Sequence, residues 1–139
     1  MGVIQFYPWP VYCHVDEHGN NTIRAWLDRE GVSTALRTAL QVQIDLTQHG
    51  GPSVVTGCVV RVNKEFEAFK GVRKGEPPVH LVFKRGIFTD QEITILACSH
   101  VAKDCIEEAR RNLRAIEVDR RGRRRHERIT HPVKGRVSG

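Results

Sequence analysis

The sequence predicts an α+β fold, an N-terminal strand and a helical hairpin packed on a three- to four-stranded antiparallel sheet, with a C-terminal helix. Three observations predict it. Helix-period apolar residues fill 32–48 and 102–117, alternating apolar residues fill much of 54–99, and glycine-rich turn signals separate the runs. With 139 residues, the chain has the length of one domain and needs neither disulfide nor metal to bury a core.

The elements follow in order. Val11 to Asp16 reads as a first strand, ended by His18-Gly19-Asn20-Asn21. Asn21 is placed to cap a short helix carrying Ile23, Trp26 and Leu27 on one face, and Gly31 interrupts it. The second helix, 32–48, is expected to bury Val32, Ala35, Leu36, Ala39, Leu40, Val42 and Leu46 and to turn Arg37, Gln41 and Gln48 to water. His49 and Gly50-Gly51-Pro52 form its stop.

Four strand-like runs share the next 50 or so residues. Val54 to Val62 is β-branched, with Gly57 as a bulge or turn. From Val60 to Ala68, Val60, Val62, Phe66 and Ala68 share one face. Gly71 to Pro78 is a basic hairpin loop, and Val79, Leu81 and Phe83 alternate in the strand after it. Arg85 to Gln91 is a turn. Glu92 to Ser99 is apolar on both faces, as expected of a central strand covered on each side. The last helix buries Ile106, Ala109, Leu113 and Ile116 and shows Arg110, Arg111 and Arg114 outward. Two units result: an α+β domain over 1–118 and a basic tail over 119–139, expected to be disordered without a partner because Ile129, Val133 and Val137 are its only large aliphatics.

Charge is divided unevenly. Residues 1–109 hold 11 Lys and Arg against 13 acidic residues, a net of −2, whereas residues 110–139 hold 11 against 3, a net of +8. Arg120, Arg121, Arg123, Arg124 and Arg125 form the densest run. Such a block meets polyanions, since each cation that neutralises a phosphate releases counterions; its plainer reading is a solvated tail that keeps the chain dispersed. No run approaches the roughly 20 apolar residues of a membrane span. The N-terminus lacks a basic leader, and position 6 is Phe where a myristoylation motif needs Ser or Thr, so a cytoplasmic location is expected. Cys13, Cys58, Cys98 and Cys105 show no Cys-x-x-Cys spacing; Cys98, His100 and Cys105 are a conceivable three-ligand set, with buried free thiols as the ordinary alternative, so no metal is assigned. Trp26 reads as core, while Tyr7 and Trp9 either pack on the sheet or face a partner.

Three phrases carry a family likeness: Glu65-Phe66-Glu67-Ala68-Phe69-Lys70; Val79-His80-Leu81-Val82-Phe83; and Glu92-Ile93-Thr94-Ile95-Leu96, followed by His100, Lys103 and Ile106-Glu107-Glu108-Ala109. In this order they resemble the RelE/HigB superfamily of toxin–antitoxin ribonucleases, especially its phage-derived branch, over about residues 11–117. The chain departs from that pattern at His80, where an arginine is usual, at Ala97-Cys98-Ser99, at Lys103 as the one lysine of a usual pair, and in its added tail. The resemblance implies cleavage of mRNA on the ribosome by attack of a ribose 2′-OH, without metal or other cofactor, and a cognate antitoxin as protein partner. It implies Lys70, His80, Arg85, His100 and Lys103 as catalytic candidates. His80 or His100 would transfer protons, and Lys70 and Arg85 would hold phosphate. Arg73, Lys74, Lys84, Arg110, Arg111 and Arg114 join the five tail arginines as nucleic-acid-binding candidates. The alternative is a non-catalytic phage or mobile-element protein of the same fold that binds nucleic acid. A plain polar sheet face accounts for the same His, Lys and Arg residues without function.

Overall fold

The computed structural model describes residues 7–118 and the backbone of 127–128. The fold is α+β. Strand β1 (Val11–Cys13) leads into helices α1 (Thr22–Arg29) and α2 (Thr34–Gly50), then into strands β2 (Val59–Arg61), β3 (Glu67–Gly71), β4 (Val79–Arg85) and β5 (Ile93–Ser99). Helix α3 (Ile106–Val118) follows, and a two-residue strand β6 (Glu127–Arg128) lies within the basic segment. The remainder of the expected tail is outside the described residues, as are Arg120, Arg121, Arg123, Arg124 and Arg125.

Local chemistry sets the helix ends. Asn21 Oδ1 accepts from the Ile23 and Arg24 amides at 3.1 and 3.0 Å, and Ser33 Oγ accepts from Leu36 N at 3.1 Å, so α1 and α2 each start on a side-chain cap. Gly51, at φ 85°, ends α2 in a conformation that side chains resist.

The sheet runs β2-β3-β4-β5-β1-β6. Strands β2 to β5 are the expected antiparallel meander. β1 joins β5 in parallel, with Val11 opposite Ile93 and Cys13 opposite Ile95, which makes the sheet mixed rather than antiparallel. The long alternation from Val60 to Ala68 is a hairpin: Val60 faces Ala68, and Asn63 Oδ1 takes the Glu65 and Phe66 amides at the turn. The four residues keep one face, because opposed residues point the same way. Before it, Pro52–Val55 is a short 3-10 turn rather than strand.

Helices cover both sheet faces. α1 and α2 bury Ile23, Leu27, Leu36, Leu40 and Ile44 against Phe69, Leu81, Phe83 and Ile95. α3 buries Ala109, Leu113 and Ile116 against Phe66, Ala68, Val82, Leu96 and Ala97. A bulge lets β5 serve both layers. Phe83 opposes Ile95 while Val82 opposes Ala97, so Leu96 is the extra residue, and Leu96 and Ala97 both face α3.

The buried face of α2 differs from the expected stripe. Arg37, Gln41 and Gln48 are buried, whereas Val42 and Leu46 are about half exposed and Ala35 and Ala39 lie outward. Gln41 Nε2 donates to Asp45 Oδ1 at 2.8 Å, and hydrogen bonds to backbone offset part of the desolvation of the others. Gln48 Oε1 accepts from Val11 N at 3.2 Å, Gln43 Nε2 donates to Lys70 O at 2.9 Å, and Arg37 Nε donates to Val32 O at 2.9 Å. Thus α2 uses two glutamines to tie itself to β3 and β1 of the sheet beneath it.

Candidate functional site

Strand register places Lys70 directly opposite His80, and His80 opposite Ser99. Alternation puts this row on the α3 side, in step with Ala68, Val82 and Ala97. The row closes one end of the sheet. The loop with Arg73 and Lys74 and the turn with His100 and Lys103 leave from the same end. Lys70, Lys74 and Lys103 are exposed and His80 is half-buried.

His80 Nδ1 lies 3.0 Å from the carbonyl of His100. A carbonyl only accepts, so Nδ1 carries the proton and Nε2 is left as the basic nitrogen when the ring is neutral. Burial pushes the His80 pKa below its ordinary value and the Lys70 ammonium adds to the effect, against the bond to His100 O. The ring is therefore neutral near pH 7, with a cation beside it.

The other candidates are placed elsewhere. His100 turns towards α1: its Nδ1 donates to Pro78 O at 3.0 Å, its Nε2 meets Glu30 Oε1 at 3.3 Å, and Trp26 lies tilted on its ring at 4.9 Å. Its link to His80 is through its backbone carbonyl. Lys84 and Arg85 belong to the opposite end of β4, about 13 and 16 Å from His80 at strand rise. Arg85 lies on the α1–α2 side and forms a two-pronged pair with Glu67, 2.7 Å at each contact. The five catalytic candidates therefore do not form one cluster; Lys70 and His80 adjoin, and His100 contributes its main chain. Arg73 reaches Ser33 Oγ at 3.2 Å and Glu76 Oε1 at 3.1 Å, tying its loop to the start of α2. Arg110 contacts Glu107 at 3.3 Å and Glu65 at 3.6 Å, and Arg111 and Arg114 are exposed on α3.

The thiols are core groups. Cys98 packs in the α1–α2 layer and Cys105 in the α3 layer, so the set with His100 does not assemble. Burial raises Cys98 well above its ordinary pKa and pushes Cys105 up to about 11, which removes thiolate character. Trp9 and Trp26 both pack partly buried against the α1–α2 core, and Tyr7 meets His49 edge-on at 5.4 Å.

An open cleft of about 630 Å³ lies between α1 and β5, lined by Arg24, Trp26, Arg29, Cys98 and Glu108 among others. None of the expected catalytic residues lines it. Sequence reasoning missed Glu30, Ser99 and Glu67. Each acquires its neighbour from a distant element, and nothing local marks it. Comparison with protein-family models, curated proteins and solved structures finds no match for this chain. Among the described residues no helix is long and apolar enough to cross a membrane.

Proposed function

We propose that the protein is a metal-independent endoribonuclease of the RelE/HigB type, acting in the cytoplasm on mRNA at the ribosome and held in check by a cognate antitoxin. The observation that carries this reading is the Lys70–His80 pair, a neutral imidazole of fixed tautomer directly opposite a cation. In that arrangement His80 Nε2 takes the proton of a ribose 2′-OH as the oxygen attacks the adjoining phosphorus; the bond from phosphorus to the 5′ oxygen of the next nucleotide breaks, leaving a 2′,3′-cyclic phosphate, and water supplies the proton to the departing oxygen. The Lys70 ammonium offsets the charge that gathers on the phosphoryl oxygens. Arg73, Lys74 and Lys103, leaving the same end of the sheet, guide the RNA backbone to the pair. The element order, with α3 following the last long strand, agrees with the order the resemblance implies.

The test is cleavage of mRNA in a translation extract. His80→Ala and Lys70→Ala are each expected to slow cleavage by about 10²–10³-fold, the range for losing a proton-transfer group or a charge-stabilising donor. Intact mRNA with the wild-type protein, or equal cleavage by His80→Ala, overturns the reading.

A second reading has its own observation. Arg85 is held by Glu67 and the His100 ring faces Glu30, so two of five catalytic candidates are engaged away from the row. A non-catalytic protein that retains the basic surface for binding nucleic acid fits this. RNA binding without cleavage in the same extract favours it.

A further inference from the structure

On the α1–α2 side, at the end of the sheet remote from His80, an open groove of about 320 Å³ is lined by Pro52, Ser53, Thr56, Val59, Arg61, Glu67 and Arg85. We propose that this groove is a phosphate-binding site, separate from the Lys70–His80 row and independent of whether that row cleaves RNA.

The argument begins with register. Arg61 on β2 stands opposite Glu67 on β3, and Arg85 on β4 grips the same Glu67 with Nε and Nη2. The register therefore sets one carboxylate beside two arginines, Arg85 in direct contact and Arg61 opposite on β2, and a positive charge is left over. The donors are left over too. Arg85 gives two of its N–H groups to Glu67, and Arg61 gives Nη2 to the Lys64 carbonyl at 2.9 Å, out of five N–H on each guanidinium. Their free edges share the groove with the exposed Ser53 and Thr56, whose hydroxyls can each donate. A tetrahedral anion needs this set: planar N–H forks and short hydroxyl donors around a partly enclosed space. Glu67, whose side chain is 15% exposed, holds Arg85 in position before any ligand arrives and so reduces the ordering cost of binding. Its charge also opposes the anion, which makes the site weaker than the donors alone would allow. The ligand class is a phosphate group, supplied either by a terminal phosphomonoester or by a nucleic-acid backbone diester.

The experiment is an NMR titration of the full chain, following backbone amides and arginine Nε–H. The ligands are inorganic phosphate, a nucleoside 5′-monophosphate and a short single-stranded RNA with hydroxyl ends, with sodium chloride matched for ionic strength. Saturable shifts at Ser53, Thr56, Arg61 and Arg85 are expected. A combined Arg61→Gln, Arg85→Lys variant, which keeps a cation beside Glu67, should bind at least tenfold more weakly. Glu67→Gln should bind several-fold more tightly, an outcome that a purely structural Glu67 would not produce. Thermal melting confirms that both variants are folded. Binding of the monophosphate but not the hydroxyl-ended RNA assigns the terminal phosphate; binding of that RNA assigns the backbone. Shifts reproduced by sodium chloride, unchanged affinity in the arginine variant, or weaker binding by Glu67→Gln overturn the proposal. Loss of mRNA cleavage on its own does not bear on it, since the Lys70–His80 row lies on the other face.

Discussion

At the scale of single residues, His80 illustrates how a half-buried position changes chemistry. Its pKa in the folded protein lies below the ordinary value of 6.5, because burial and Lys70 disfavour the imidazolium. The unfolded chain then binds the proton more readily, so stability is full above about 6.5 and falls as the pH drops below that value. Denaturation midpoints measured between pH 7.5 and 5 should decline, and His80→Gln should flatten that part of the curve. The lowered carboxylates Asp16 and Glu76 titrate further down, and the difference between wild type and variant separates His80 from the other six histidines. An unchanged decline in the variant refutes the assignment. Glu92 shows a different use of burial. Its fully buried carboxylate accepts from the Phe88 and Thr89 amides and closes the turn between β4 and β5. The sequence marks 85–91 as a turn, but its Gly86 and Asp90 do not reveal that Glu92, four residues from Phe88, holds it.

At the scale of elements, α2 and β3 meet closely enough to exclude a side chain. A Cβ on Gly71 would come within 2.8 Å of Leu40 and 3.0 Å of Leu36, both buried core residues. Gly71→Ala should therefore cost about 1–3 kcal/mol, the usual range for overfilling a packed core, read from urea denaturation. Gly57→Ala is the reference for glycine removal without crowding, since nothing lies within 4 Å there and its backbone is not left-handed. Equal losses at the two positions would show that packing against α2 is not the cause. Element boundaries were largely readable because caps and stops are local: Asn21 and Gly51 each act within a few residues, whereas Ser33, inside the expected 32–48 helix, is its cap. The inward face of α2 was not readable. Val42 and Leu46 compete on hydrophobicity with Gln43 and Gln48, and the glutamines lie inward because backbone partners on Lys70 and Val11 await them.

At the level of the whole molecule, the positive excess belongs to residues 110–139, which include most of α3, and the near-neutral remainder supplies strands β1 to β5 and the α1–α2 layer. Replacing Arg120, Arg121, Arg123, Arg124 and Arg125 with alanine should leave the melting temperature nearly unchanged and reduce the salt dependence of RNA binding. Each phosphate contact removed lowers the slope of log K against log salt by about 0.7–0.9. An unchanged slope would assign polyanion binding to the domain's own cations, Lys70, Lys74 and Lys103 among them.

The α+β class, the order of elements, the central position of β5 and the location of surplus charge are legible in the chain alone. These follow from periodicity, turn chemistry and composition, which act over a few residues. The packing of whole elements sets β1 parallel to β5, lays α3 on the face opposite α1 and α2, and selects which basic residues meet. Lys70 adjoins His80, Arg85 grips Glu67 opposite Arg61, and His100 turns to Glu30. The physical reason is register: cross-strand neighbours are chosen by how whole strands align in a packed sheet, and a one-residue shift at the Leu96 bulge reassigns faces that local pattern leaves open.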